Sequence, residues 1–166
     1  MGTSYYTPRS IRAGQSVFLA TASYEAVKPG YAYSLALTTA ELTRHQIPFE
    51  LGIMEGNCHV DDGRNSLVRQ FMEGNCTDML FIDSDLMWSA SDVVKILSHQ
   101  DDLVCGAYPK KCSPASYPIG QIIEARHDGL LEVTYAPTGF MRIRRCVFEK
   151  LYPKQSKHGR ERPTAG

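Results

Sequence analysis

Strand-like and helix-like segments alternate along most of the chain, and this alternation constrains the fold more than any other feature. The apolar runs typical of buried strands lie at 16–22, 49–54, 79–82 and 103–108. The segments with helical spacing of apolar residues lie between them, at 31–45, at 63–73 and after Ser89. Single helices between short strands predict an open, mainly parallel, Rossmann-like α/β sheet flanked by helices. Ligands bind such sheets at the carboxyl ends of the strands.

The pattern changes in the last third of the chain. Apolar segments at 121–124 and 130–135 enclose Asp128-Gly129, a dipeptide that favours a β-hairpin turn. A further strand is predicted at 140–144, and a short helix at 146–151. The sequence therefore predicts a C-terminal antiparallel extension of the sheet.

Length and composition indicate one domain. The chain has 166 residues, of which we assign 16–151 to a single domain, 1–15 to a flexible segment and 152–166 to a basic, disordered tail. The 18 Lys and Arg balance the 18 Asp and Glu, so charge gives no support to nucleic-acid binding. The five cysteines include no Cys-x-x-Cys pair, and no secretory signal or apolar run of transmembrane length is present. These features predict a cytoplasmic protein with free thiols.

Two carboxylates stand one residue apart at the end of the third predicted strand, in Leu80-Phe81-Ile82-Asp83-Ser84-Asp85. Residues i and i+2 of a strand point to the same side, so Asp83 and Asp85 can converge on one cation. Like charges at close range oppose each other's ionisation, and a cation removes that cost. Oxygen ligands of this kind suit Mg²⁺ or Mn²⁺ bridging the phosphates of a substrate. The alternative interpretation is that both residues only end the strand and open a turn.

Several short motifs in this order resemble the nucleotide-sugar-binding half of GT-A-fold glycosyltransferases, close to the family-2-like group of bacteria and their phages. The motifs that carry the resemblance are Ala20-Thr21-Ala22-Ser23, Asp62-Gly63-Arg64-Asn65, Phe81-Ile82-Asp83-Ser84-Asp85, Val104-Cys105-Gly106-Ala107-Tyr108-Pro109-Lys110-Lys111 and Thr138-Gly139-Phe140-Met141. Each motif is common alone, but their order and spacing are specific. The resemblance spans 16–151.

The resemblance implies a role for each matching residue. Asp83 and Asp85 correspond to the family's Asp-x-Asp pair, which holds Mn²⁺ or Mg²⁺ against the donor's diphosphate, and Arg64 is expected to face the nucleotide or its phosphates. The other implied substrate-binding residues are Thr21, Ala22, Ser23 and Glu25 after the first strand, Ser84 between the aspartates, Lys110 after the fourth strand, and Thr138 and Gly139 beside the donor sugar. The implied partners are a nucleotide-diphosphate sugar and an acceptor of unidentified class.

The chain departs from the family pattern where a catalytic carboxylate is expected. That segment begins near Tyr152 and contains no Glu-Asp pair on a plausible helix, so His158 and Glu161 are candidates only by default. A general base is needed to deprotonate the acceptor hydroxyl. The resemblance thus predicts metal-dependent glycosyl transfer. Because this carboxylate is missing, the main alternative is a truncated, non-catalytic protein that binds nucleotide sugars.

Two other classes of enzyme are weaker alternatives. A phosphatase of the haloacid dehalogenase type would use Asp83 as its nucleophile, but Met87 stands where that class has Thr or Val. A nucleic-acid enzyme of the Toprim type would combine Glu55 with the two aspartates, but the neutral net charge disfavours it.

Overall fold

The computed structural model describes residues 10–56, 60–110, 113–114 and 116–151. The seven strands in this part of the chain are β1 (Val17–Ser23), β2 (Phe49–Glu55), β3 (Asp78–Ile82), β4 (Leu103–Cys105), β5 (Ile122–Ala125), β6 (Leu131–Val133) and β7 (Phe140–Arg144). The four helices are α1 (Pro29–Arg44), α2 (Val60–Glu73), α3 (Ala90–Ser98) and α4 (Arg145–Leu151). The predicted tail at 152–166, with His158 and Glu161, lies outside the described residues.

Five strands form one mixed sheet in the order β2-β1-β3-β7-β4. The strands β1, β2 and β3 are mutually parallel, and β7 runs antiparallel to both of its neighbours, β3 and β4. The predicted α/β sheet, mainly parallel and flanked by helices, is confirmed at this level. The carboxyl ends of β1 and β3 are adjacent, because the two strands pair in register.

The antiparallel extension has two parts. The predicted hairpin is confirmed, and β5 and β6 form a separate two-stranded sheet around a turn in which Gly129 has a φ of 82°. The predicted strand at 140–144 is β7, which enters the middle of the main sheet between β3 and β4. Its insertion brings the residues that precede Phe140 to the carboxyl end of β3, where Ile82 pairs with Phe140.

Helices cover both faces of the main sheet, and alternate residues of β1 pack into different clusters. Val17 and Leu19 pack with residues of α1 and α3, whereas Phe18 and Ala20 pack with residues of α2 and α4. Every residue of β3 is buried, as expected for a strand covered on both faces. The alternation of the sequence thus corresponds to a three-layered core with β3 at its centre.

Two described residues of the N-terminal segment, Arg12 and Gln15, contact the core. Asp78, at the start of β3, is fully buried. Arg12 and Gln15 both donate hydrogen bonds to Asp78 Oδ2, at 2.5 and 3.2 Å. A buried carboxylate requires such partners, and the segment supplies them.

Within the described residues, no helix is both long enough and apolar enough to cross a membrane.

Candidate functional site

A cleft of about 390 Å³ opens at the carboxyl edge of the main sheet. It lies where the ends of β1 and β3 meet the first turns of α2 and the loop before β7. The residues that line it are Ala22, Ser23, Tyr24, Val60, Arg64, Asp83, Ser84, Asp85 and Thr138. Seven of these residues, all except Tyr24 and Val60, are ones that the sequence predicted to bind substrate or metal.

Asp83 and Asp85 reach the cleft through a turn. The strand β3 ends at Ile82, and the amide of Leu86 donates to the Asp83 carbonyl at 3.1 Å, which closes a turn around Ser84 and Asp85. The strand therefore does not continue through Asp85, and this turn, not the alternation of a strand, brings the two carboxylates to the cleft. The Asp83 side chain is 40% exposed, and Asp85 is exposed. Both carboxylates are therefore accessible to a ligand in the cleft.

Arg64 connects three segments at one end of the cleft. Its Nη2 donates to Asp83 Oδ1 at 2.8 Å, and its Nη1 donates to Thr138 Oγ1 at 2.7 Å. The guanidinium also lies over the ring of Phe81, 5.4 Å from its centroid. The first turns of α2 and the loop before β7 are thus joined through one side chain to the end of β3.

Gly139 lies behind Asp83 at the back of the site. The Asp83 amide donates to the Gly139 carbonyl at 2.8 Å, and the Gly139 amide donates to the Tyr108 hydroxyl at 3.1 Å. A β-carbon at position 139 would overlap both Asp83 Oδ2 and the Tyr108 hydroxyl. Glycine is required here so that the loop can approach the carboxylate this closely.

Tyr108 was not among the predicted site residues. Burial raises the pKa of its hydroxyl, and the nearby charge of Asp83 raises that pKa further. Tyr108 follows β4, which runs parallel to β3, so its position at the carboxyl edge was a usable sequence signal. Tyr24 and Val60 were also missed, since no motif marks an aromatic or aliphatic residue at the rim of a cleft.

Four predicted substrate-binding residues are not part of the cleft lining: Gly139, which lies behind Asp83, and Thr21, Glu25 and Lys110. Thr21 is only 1% exposed, and its hydroxyl is 2.5 Å from the Tyr31 hydroxyl and donates to the Ile82 carbonyl at 3.0 Å. It therefore joins β1 to α1 and β3 in the interior. Glu25 and Lys110 are exposed but do not line the cleft. Glu25 instead accepts a hydrogen bond from the Ser23 hydroxyl through its backbone carbonyl.

A second group of potential metal ligands lies elsewhere, in a groove of about 1370 Å³ between α3, β4 and the hairpin. His99, Asp101 and Asp128 each place a ligand atom within 4.8 Å of the others. Arg126 already bonds both carboxylates of this group, because its Nη1 donates to Asp101 Oδ1 and its Nη2 donates to Asp128 Oδ2, both at 2.5 Å. The hydrogen bond from Arg126 lowers the pKa of Asp101. The cluster therefore fits an ion-pair network that fastens the hairpin turn to the end of α3.

The carboxylate oxygens of Asp83 and Asp85, in the cleft at the carboxyl edge of the sheet, fit a hard divalent cation. Among the described residues that line it, the charged side chains are Asp83, Asp85 and Arg64, so carboxylates outnumber cations. Carboxylate oxygens are the ligands that Mg²⁺ and Mn²⁺ prefer. Comparison of the chain with models of protein families, with curated proteins and with solved structures found no match.

Proposed function

We propose that this cleft binds a nucleotide-diphosphate sugar through Mn²⁺ or Mg²⁺, and that the protein is a metal-dependent glycosyltransferase of the GT-A, family-2-like type. One observation carries the proposal: Asp83, Asp85 and Arg64 face a single cleft at the carboxyl end of the central strand β3. Two carboxylates for a cation and one guanidinium for a phosphate form a charge pattern complementary to a metal diphosphate.

The remaining lining residues support a nucleotide as the ligand. Tyr24 is 63% exposed at the rim, where its ring offers a stacking surface for a base. Ala22 and Ser23 lie beside it at the end of β1, and Ser84 lies between the two aspartates. The cleft thus places an aromatic surface near β1 and charged groups near β3, in the order in which a nucleoside diphosphate presents its base and phosphates.

Glycosyl transfer forms a bond from the acceptor oxygen to the anomeric carbon and breaks the bond from that carbon to the diphosphate. A bound divalent cation supplies positive charge that stabilises the departing diphosphate. Arg64 adds a guanidinium that can hydrogen-bond the phosphate oxygens in a fixed geometry. Gly139 and Tyr108 hold Asp83 in place behind the site. The acceptor also loses a proton, for which transfer needs a general base beyond the two aspartates assigned to the cation.

One observation favours a second candidate, a nucleotide-sugar-binding protein without transferase activity. Asp83 and Asp85 are the carboxylates among the described residues that line the cleft, and both are assigned to the cation. No described lining residue is therefore left over to act as the general base. Binding of the donor is common to both candidates, and product formation separates them.

Calorimetric titration tests donor binding. Nucleoside diphosphates with each of the common bases are titrated into the protein with and without Mn²⁺. We expect Mn²⁺-dependent binding of at least one of them, and its loss in Asp83→Asn/Asp85→Asn. The matched control is Glu124→Gln/Glu132→Gln. It removes two exposed carboxylates whose residues are opposite each other on the two strands of the hairpin. Absence of binding by folded wild-type protein contradicts both candidates.

Hydrolysis of the donor then tests catalysis. Release of nucleoside diphosphate from the matching nucleotide sugar is followed with water as the default acceptor. Slow release that requires Asp83 and Asp85 supports the transferase. Tight binding of the nucleotide sugar without release, even with added oligosaccharide or alcohol acceptors, supports the binding protein.

A further inference from the structure

The ion pair between Arg64 and Asp83 involves a carboxylate oxygen that is also a potential ligand for a cation in this cleft. Arg64 Nη2 lies 2.8 Å from Asp83 Oδ1, and the other oxygen, Oδ2, lies against Gly139. A cation that binds Oδ1 must therefore share this oxygen with the guanidinium or displace the guanidinium from it. We infer that Arg64 is an exchangeable counter-ion of Asp83, which leaves the carboxylate and binds the diphosphate when the metal complex enters. This inference rests on the proposed function.

The position of Arg64 suits such an exchange. Its side chain is 22% exposed and lines the cleft, so the guanidinium can move toward a ligand without crossing the core. Its hydrogen-bond acceptors among the described residues are Asp83 and the exposed Thr138, both of which also line the cleft. The ion pair is therefore at the surface of the site, where such pairs contribute little stability and exchange readily.

Charge gives the exchange its direction. In the cleft alone, the guanidinium neutralises Asp83 and reduces its repulsion with Asp85. Beside a divalent cation, the same guanidinium is repelled by a second positive charge, whereas a diphosphate in the cleft attracts it. Arg64 consequently opposes binding of the cation by itself and favours binding of the diphosphate. The two ligands should then bind with positive coupling, each increasing the affinity for the other.

The test measures two affinities: that of Mn²⁺ alone, by the decrease of the free-ion paramagnetic resonance signal, and that of the nucleoside diphosphate with and without saturating Mn²⁺, by calorimetry. The informative variant is Arg64→Met, which removes the charge but keeps an unbranched side chain to pack near Phe81. We expect Mn²⁺ alone to bind this variant about 5-fold to 10-fold more tightly than wild type. The affinity for diphosphate at saturating Mn²⁺ should fall by about 10-fold, the order expected for a charged hydrogen bond.

Two further variants control the experiment. Arg69→Met removes an exposed arginine of the same helix, whose side chain bonds Ser66, and should leave both affinities unchanged. Arg64→Lys retains the charge but cannot donate to Asp83 and Thr138 together in the guanidinium geometry. Its Mn²⁺ affinity should lie between those of wild type and Arg64→Met. Thermal unfolding of each variant confirms that the protein tested is folded.

The outcomes separate this inference from the proposed function. If wild-type protein binds neither Mn²⁺ nor any nucleoside diphosphate, the proposed function fails. If wild type binds both, but Mn²⁺ alone binds Arg64→Met and Arg64→Lys no more tightly than wild type, the exchange is overturned and the donor site stands. Weaker coupling between the two ligands in Arg64→Met than in wild type, with wild-type coupling in Arg69→Met, supports the exchange.

Discussion

Asp83 and Gly139 are in direct contact through both backbone and side chain. The Asp83 amide donates to the Gly139 carbonyl at 2.8 Å, and Asp83 Oδ2 is close enough to Gly139 to overlap a β-carbon at that position. The carboxylate is thus positioned by a loop that comes more than fifty residues later in the chain. The contact makes the geometry of the proposed cation site depend on the absence of a side chain at one position.

The first prediction concerns Gly139→Ala. The added methyl group overlaps the ends of two side chains, Asp83 and Tyr108, so these must rotate away. Overpacking of this kind costs about 1–3 kcal/mol of the free energy of unfolding. We expect Mn²⁺-dependent diphosphate binding, measured by calorimetry, to weaken by about 10-fold or more because Asp83 is displaced. Gly74→Ala is the control, since a β-carbon there would lie 3.3 Å from the end of the flexible Glu50 side chain.

The second prediction concerns Tyr108→Phe. The variant removes the hydroxyl that accepts a hydrogen bond from the Gly139 amide, and it leaves that amide without this acceptor. We expect a loss of about 1–3 kcal/mol in the free energy of unfolding, measured by urea titration. Diphosphate binding should also weaken, because the loop that holds Asp83 loosens. Tyr117→Phe alters an exposed tyrosine and should change neither quantity. Unchanged binding in Tyr108→Phe would show that Tyr108 does not position Asp83.

Local patterns in the sequence were sufficient for most of the main sheet. Buried strands and amphipathic helices have different apolar periods, so the alternation through β4 could be predicted one segment at a time. The position of β7 in the middle of the sheet could not be predicted in this way. Its centre carries Arg142, a residue type that is rarely buried, yet Arg142 is fully buried. Its partners are carbonyls of His99 and Asp101, which only the folded chain brings close.

The candidate site shows the same division between local and long-range information. Asp83 and Asp85 are neighbours in sequence, and a short motif was enough to predict that they share a cleft. The contact between Arg64 and Thr138 joins residues 74 positions apart, so no local pattern predicts it. Thr21 was assigned to the site through the resemblance of the segment after the first strand, but its hydroxyl is hydrogen-bonded inside the core. A polar side chain near a site can equally form hydrogen bonds inside the core below the site.

The third prediction concerns the buried carboxylate of Asp78. Asp78 is 0% exposed, accepts hydrogen bonds from Arg12 and Gln15, and lies 3.7 Å from the Arg142 guanidinium. Asp78→Asn keeps the shape but removes the negative charge, which leaves Arg142 buried without a counter-ion. We expect a loss of about 3–5 kcal/mol in the free energy of unfolding. The control is Asp102→Asn, because Asp102 is 47% exposed and its ion pairs should contribute less than about 1 kcal/mol.

The last prediction concerns the pH dependence of stability. Burial lowers the pKa of His99 from its usual value of 6.5, against the raising influence of Asp128 and Asp101. Arg142 and Lys95 lower this pKa further. Below the unfolded pKa, the unfolded chain therefore binds a proton at His99 more readily than the folded protein does. The contribution of neutral His99 to the free energy of unfolding is fully present above pH 6.5. It is lost as the pH falls through the lower pKa that His99 has in the folded protein.

His99→Gln should remove this part of the pH dependence. Urea unfolding from pH of about 8 to about 5 is expected to show a smaller fall in the free energy of unfolding for the variant than for wild type. The comparison is between slopes, so a uniform loss of stability from the substitution does not affect it. His127→Gln changes an exposed histidine of the hairpin turn and should retain the wild-type slope. Equal slopes for His99→Gln and wild type would mean that His99 takes up its proton equally readily in the folded and unfolded states, and that burial at the end of α3 does not exclude the charged form.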